Sequence, residues 1–231
     1  MQAVILAAGR GTRMGPLTEK KPKPLLEVNG KSLLEHKLAA LPEEVDEVII
    51  VIGYRGEMIR DKFGASYGNI TLRYVRQENP TGGTAEALWL AKDLLRGKFL
   101  VMNGDNIYAR EDIEKCIKSE NWSVLVGAAE AIRTGAVIAD ESGRVLSIVE
   151  NTEHSGKENY ANTALYVLDT RVFDYDPKPK AAGSSELGLP QTFIQAAQDI
   201  PIKTVQASGW VEIKEPSDLE KASVFLTQRH P

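Results

Sequence analysis

Apolar residues in the first half of the chain come in short runs separated by stretches with helical spacing. Met1–Ala7 (MQAVILA), Glu47–Ile52 (EVIIVI), Thr71–Val75 and Phe99–Asn103 (FLVMN) read as β-rich apolar runs. Between them, Ser32–Leu41, Glu57–Phe63 and Thr84–Leu95 repeat apolar positions every three or four residues. In the last of these, Leu88, Ala91, Leu94 and Leu95 share one face. Strand and helix patterns in alternation predict a mostly parallel sheet with helices on both sides.

The pattern changes after Val124–Ala129. Ala136–Ala139, Val145–Val149 and Asn162–Leu168 are short β runs, and Asp140-Glu141-Ser142-Gly143 is a turn between the first two. The second half is therefore expected to be antiparallel and appended to the same sheet. Asn151–Asn159 and Asp174–Pro190 are polar or rich in Pro and Gly, and read as long loops of the kind that bind or cover ligands. Ser217-Asp218-Leu219-Glu220 has the form of a capping box opening a terminal helix through Leu226. No repeat or low-complexity tract interrupts the chain.

Composition narrows the class. The 231 residues are 42% hydrophobic and 26% charged, with a net charge of -4; this is the profile of a soluble globular protein with a substantial core. Basic residues are scattered rather than gathered in a stripe, which argues against a nucleic-acid partner. No apolar run approaches the length of a membrane span, and the amino terminus enters a strand at once, so neither a membrane segment nor a signal peptide is expected. The one cysteine, Cys116, excludes an internal disulfide, fits a reducing cytoplasm, and falls with Ile113 and Ile117 on a helical face.

The first strand runs into Leu6–Leu25, LAAGRGTRMGPLTEKKPKPL. A glycine-rich turn at the carboxyl end of a first strand is where open α/β sheets bind phosphate-bearing ligands. Gly9 and Gly11 let backbone N–H groups approach an anion. Arg13 and Lys23 supply a planar fork and a compact point charge. Two familiar phosphate motifs do not fit. A G-x-G-x-x-G fingerprint requires glycine where Met14 stands, and a P-loop ending at Gly30-Lys31-Ser32 requires glycine where Leu25 stands; Asn29-Gly30 is more simply a turn.

The spacing L-A-A-G-x-G-x-R-M-x-P-L-T-x-x-x-P-K-P from Leu6 to Pro24 resembles the signature of the sugar-1-phosphate nucleotidylyltransferases. The resemblance continues through Gln77 and Gly82-Gly83-Thr84-Ala85, Asn103-Gly104-Asp105-Asn106, Gly135-Ala136-Val137, Glu150 and Asn162. It closes on Trp210-Val211-Glu212-Ile213 followed by Pro216-Ser217-Asp218-Leu219. It implies one nucleotidylyltransferase domain over 1–231, with a nucleotide-binding half (1–130) and a sugar-binding half (131–231). The fold implied is a Rossmann-like three-layer α/β/α arrangement around a mixed, mostly parallel sheet. The reaction implied is Mg²⁺-dependent transfer of a nucleoside monophosphate from UTP or dTTP to a sugar 1-phosphate, with release of pyrophosphate. A guanylyl- or cytidylyltransferase of the same fold, or a non-catalytic sugar-nucleotide-binding subunit, are the alternatives. The resemblance leaves the sugar and any homo-oligomer open. It also leads us to expect no C-terminal left-handed β-helix of the kind some relatives carry.

The same resemblance assigns roles. Arg13, Lys23 and Asp105 carry the reaction. Leu6, Ala8, Gly9, Gly11, Thr12, Gln77, Gly82, Gly83 and Thr84 join Arg13 and Lys23 around the nucleotide. Asn103, Gly135, Glu150, Asn162 and Trp210 face the sugar, and Asp105 and Glu212 hold the metal. The chemistry matches these residue types, since an attack of one anion on another requires charge neutralisation and aim rather than covalent help. Pro22 and Pro24 restrict the backbone around Lys23. The Gln77 amide both donates and accepts, which suits the N3–H and O4 edge of uracil or thymine. Two departures stand out. Glu212 occupies a position where relatives usually have aspartate. Many relatives also have a lysine after Glu150 that grips the sugar phosphate, whereas here Asn151 follows, and Lys157 is the substitute expected.

Overall fold

The computed structural model describes residues 1–131, 135–150 and 159–229. The chain opens with β1 (Gln2–Ala7), then β2 (Glu27–Val28), β3 (Lys31–Ser32) and α1 (Leu33–Ala39). Next come β4 (Glu47–Ile52), α2 (Gly56–Phe63), β5 (Ser66–Tyr67), β6 (Ile70–Arg76) and α3 (Gly83–Trp89). They are followed by β7 (Lys98–Asn103), β8 (Asn106–Tyr108), α4 (Arg110–Lys118) and β9 (Trp122–Ala128). The second half adds β10 (Gly135–Ala139), β11 (Val145–Glu150), β12 (Tyr160–Asp169), β13 (Lys178–Pro179) and β14 (Leu187–Gly188). It ends with α5 (Leu189–Phe193), β15 (Ile202–Gln206), β16 (Trp210–Glu212) and α6 (Asp218–Arg229).

The central sheet runs in the order β11-β10-β12-β7-β1-β4-β6-β5, with β9 paired to β12 and β15 to β9. β1 lies between β4 and β7, parallel to both. Because side chains alternate across a strand, β1 and its neighbours feed two cores at once. Val4, Ile49, Val51, Phe99 and Val101 pack on one face with Leu88 of α3 and Leu189 and Phe193 of α5. Ile5, Val48, Ile50, Leu100 and Met102 pack on the other with Leu34 and Leu38 of α1, Ile59 of α2 and Ile113 of α4. Fully buried aliphatics such as Ile5, Ile49 and Ile50 each stabilise the fold by about 1.5–3 kcal/mol. The result is the Rossmann-like three-layer α/β/α arrangement with a mixed, mostly parallel sheet.

A third, smaller core sits beside these. Met14, Leu26, Val28, Leu33, Ile107, Ile213, Ala222 and Leu226 join the segment after β1 to the two-stranded β8–β16 ladder and to α6.

Several elements differ from the sequence reading. β15 went unread, and it pairs parallel to β9, so the second half is not wholly antiparallel. The segment read as a long loop from Asp174 holds the β13–β14 pair and the start of α5. The helix expected through Leu95 stops at Trp89. It continues as tighter turns, with Ala91, Leu94 and Leu95 donating to Leu88, Ala91 and Lys92 three residues back. Apolar spacing of three is common to both helix types, so pattern alone does not separate them. Ser217 does not cap the last helix; its hydroxyl donates to Glu215, while the buried Asp218 carboxylate accepts from the N–H groups of Lys214 and Glu215, and the helix runs on to Arg229. The capping box belongs instead to Ser32 and Glu35, at the start of α1. Asn29 and Gly30 form the β2–β3 turn, both at positive φ, and Cys116 is buried in the α4 face.

Candidate active site

Chain order and sheet order disagree at one place. From β1 the chain steps to β4 and β6 on one side, then returns to β7 on the other side of β1. The loops leaving β1 and β7 therefore diverge at their carboxyl ends and leave a crevice between them, the place where open α/β sheets bind ligands. Backbone bonds hold the rim. Gly104 N–H donates to Leu6 O at 2.8 Å, and Tyr54 N–H to Ala8 O at 3.1 Å.

The crevice opens into a cavity of about 300 Å³. Every nucleotide-side residue expected from the sequence lines it except Gly82, as do Asp105 and Asn103. Lys23, buried to 6% exposure, places its ammonium 2.8 Å from Asp105 Oδ2. Gly11 stands at φ +69°, and a Cβ there would lie 3.0 Å from Lys23 Cβ. The glycine thus admits the lysine stem as well as the turn. Arg13 is exposed and makes no ion pair among the described residues.

The loop before α3 forms the opposite wall. The Gln77 amide nitrogen donates to Gly83 O and Glu86 Oε1, both at 3.1 Å, so its two N–H groups are taken and its oxygen is left as the acceptor. From the sequence alone the amide is expected to fill both roles. Gly83 sits at φ +83° against the backbone of Leu187, where a Cβ would collide. Gly82 O accepts from Leu187 N–H at 3.0 Å, and Thr84 Oγ1 from Leu189 N–H at 2.9 Å. The β13–β14 segment thereby fixes this loop, and its Glu186 joins the cavity wall.

Gly135, Glu150 and Asn162 form a neighbouring wall outside the cavity lining. A Cβ on Gly135 would stand 3.4 Å from both Glu150 Oε1 and Asn162 Cβ. Burial pushes the Glu150 carboxyl above its ordinary range; Lys180 and Lys214 hold it back, and Glu186 and Glu212 add to the rise. Asn162 Oδ1 accepts from Ala164 N–H and Tyr166 O–H, each at 3.1 Å.

Trp210, expected at the sugar, stands on β16 beside β9. It packs with the core that contains Ile113 and Cys116, its indole Nε1 against Gly127 of β9, and it does not line the cavity. Its strand β16 pairs with β8, so Glu212 stands opposite Asn106, and Ile213 N–H donates to Asp105 O at 3.1 Å. Glu212 and Asp105 are thus neighbours through backbone, although Glu212 is not itself a lining residue. Its carboxylate is 2.7 Å from Lys214 Nζ. Asn151 and Lys157 lie outside the described residues.

Two lysines escaped the sequence reading. Lys214 lines the cavity at 7% exposure. Lys37, on α1, is 2% exposed; its ammonium donates to Asn106 O and lies 4.8 Å from the centre of the Tyr108 ring. Burial pulls Lys37 down to about 7, Asp105 opposes the fall, and Lys23 adds to it. Asn106 Nδ2 and Tyr108 O–H both donate to Thr163 O, at 2.7 and 2.8 Å, so Lys37 supports the turn that carries Asp105 and ties it to the β12 segment holding Asn162. The signal was present: Leu33, Leu34, Lys37 and Leu38 are the buried stripe of this helix, with one charge inside it.

A fold with its crevice at the β1–β7 switch, a glycine loop and a buried Lys–Asp pair defines a nucleotide-handling α/β protein. A model of the nucleotidyl transferase family matches residues 2–229, and the chain belongs to that family. It is 28% identical over 230 residues to the bifunctional protein GlmU of Methanocaldococcus jannaschii, covering 99% of this chain and 55% of that protein. It is 29% identical over 251 residues to the UTP–glucose-1-phosphate uridylyltransferase AglF of Haloferax volcanii, covering 99% and 97%. The chain thus spans about half the length of the GlmU proteins it matches. Among solved structures, it is similar to one described as a glucose-1-phosphate thymidylyltransferase from Bacillus anthracis in complex with a sucrose, with TM-score 0.82, 25% identity, and coverage of 97% and 94%. A UDP-glucose pyrophosphorylase complexed with UDP-glucose shares the fold, with TM-score 0.83 at 20% identity over 99% of both chains. No helix among the described residues is long and apolar enough to cross a membrane.

Proposed function

We propose that this chain transfers a nucleoside monophosphate from an NTP, UTP or dTTP in preference, to a sugar 1-phosphate and releases pyrophosphate. The observation that carries the reading is the Lys23–Asp105 pair at the mouth of the cavity, set between a glycine loop and the strand-end turn after β7. The glycine loop and Arg13 receive the β and γ phosphates. Lys23 meets the negative charge that builds on the α-phosphate. The acceptor phosphate oxygen attacks the α-phosphorus, and pyrophosphate leaves on the side of Arg13. The acceptor oxygen of Gln77 faces the N3–H of a pyrimidine, while Glu150 and Asn162 receive sugar hydroxyls. The names of two of the relatives support this choice, one with a UTP donor and both with glucose 1-phosphate.

Asp105 and Glu212 are the residues that would hold Mg²⁺. Among the described residues no group of three or more His, Cys, Asp or Glu side chains gathers as a metal site. Two carboxylates, each countered by one lysine, fit an ion that keeps its waters and takes its other ligands from phosphates, which is the habit of Mg²⁺. When bound, the ion supplies charge neutralisation between the two phosphate groups.

The test is a panel of five NTPs against several sugar 1-phosphates, read by pyrophosphate release with and without Mg²⁺. Turnover with UTP or dTTP that requires the ion is expected. Preference for GTP or CTP would overturn the base assignment, and no turnover with any pair would overturn the reading.

A further inference from the structure

Lys214 is held so that its side chain is aimed. On one side Ile213 N–H donates to Asp105 O at 3.1 Å, and the Ile213 side chain is fully buried in the third core. On the other, Lys214 N–H donates to the buried Asp218 carboxylate at 2.9 Å. The side chain enters the cavity wall with its ammonium 2.7 Å from Glu212 Oε2. Three cations line the cavity among the described residues. Arg13 and Lys23 come from the glycine-loop side; Lys214 comes from the strand end opposite.

The surroundings of Lys214 say which ligand it serves. Asp105 lines this end of the cavity, Glu212 pairs with Lys214 beside it, and Glu150 feels Glu212 and Glu186 as well as Lys180 and Lys214. A phosphate monoester arriving there with close to two negative charges is repelled unless a cation stands on its own side. Lys23 faces the donor's α-phosphate, and Arg13 is further along the glycine loop. Among the described residues lining the cavity, Lys214 is the cation at the Asp105 edge, and with Lys180 it also acts on Glu150 of the neighbouring wall.

We infer that Lys214 binds the phosphate of the acceptor and sets the affinity for sugar 1-phosphate, an inference that rests on the transfer reaction proposed above. Its ion pair with Glu212 holds the ammonium in place until a dianion replaces that partner. A lysine that only neutralised Glu212 would influence stability or metal requirement, and would leave the acceptor's KM alone.

Lys214→Gln and Lys214→Arg separate these roles when KM is measured for each substrate at saturating Mg²⁺. In K214Q the acceptor KM is expected to rise by at least ~30-fold while the NTP KM stays within about 3-fold, the mark of losing a charge partner for one substrate only. K214R keeps the charge and is expected to recover most of the acceptor affinity. Lys214→Ala provides the same comparison should the glutamine variant not fold by circular dichroism. An unchanged acceptor KM in an enzyme whose wild type turns over would overturn this inference and leave the reaction standing. An equal rise in both KM values would also overturn it. A wild type with no turnover across the panel would remove the reaction and this inference together.

Discussion

The ammonium of Lys23 lies 2.8 Å from the Asp105 carboxylate, although 82 residues separate them in the chain. Each is the other's counter-ion before any substrate arrives. The pair holds both side chains at the crevice mouth, so binding redirects charges already in place rather than ordering them.

Removing either partner is expected to stop the reaction without unfolding the protein. Lys23→Ala should lower the rate of pyrophosphate release by about 10²–10³-fold, the cost of losing one fixed group at developing charge. Asp105→Asn should do at least as much. The double variant should be no worse than the poorer single, because the residues act as a unit. Near-normal turnover in either single variant would remove it from the mechanism.

Glu212 carries the question of the longer carboxylate. Glu212→Gln should shift the Mg²⁺ titration of pyrophosphate release to higher concentration, because one of two carboxylates is gone. Glu212→Asp should keep activity within about tenfold, since the ligand type is preserved and a water spans the missing methylene. Identical Mg²⁺ curves for wild type and E212Q would exclude a metal role.

Gly83 tests the base-side loop. Its φ of +83° and the Leu187 backbone beside it leave no room for a methyl group. Gly83→Ala is expected to cost about 1–3 kcal/mol of stability through strain and displacement. It should raise the NTP KM more than the sugar-phosphate KM. Calorimetric melting and paired KM values read the two effects; equal KM changes would separate this loop from the base.

Lys37 gives the pH prediction. Its folded value is lowered to about 7, well under the ordinary lysine value of 10.5. The unfolded chain therefore binds more protons between those values, so this group makes stability rise with pH across about 7 to 10; below that window the full cost of the buried ammonium is present. Lys37→Met should remove that contribution. The stability difference between variant and wild type should fall by up to about 1.4 kcal/mol per pH unit as pH rises through the window. Urea unfolding at pH 7 and pH 9.5 measures it, and parallel behaviour of the two proteins would show that Lys37 titrates as an ordinary lysine.

What the sequence disclosed follows from which interactions are local. β1, β4 and β7 are buried on both faces, so their apolar runs are dense enough to read unaided. The glycine and proline pattern around Lys23 was legible for a similar reason, because each residue constrains its own backbone. β15 was not. Its residues Ile202-Lys203-Thr204-Val205-Gln206 carry too little apolar alternation, and its pairing partner β9 is about 80 residues away. Lys214 and Lys37 gain their settings from Asp105, Asn106, Glu212 and Asp218, none of which is a local partner of Lys37 and only two of which lie near Lys214. Trp210 had the residue type of a sugar platform. Only the β8–β16 pairing shows which way the strand turns it.

That two-stranded ladder has a use of its own. It carries Glu212, it supplies the backbone bond to Asp105, and it holds an indole against Gly127 at the same time. A ligand that pulls on either carboxylate is expected to shift the packing of a built-in fluorophore. Trp210 emission, compared with a Trp210→Phe background, therefore offers an optical readout of site occupancy that needs no label and no turnover.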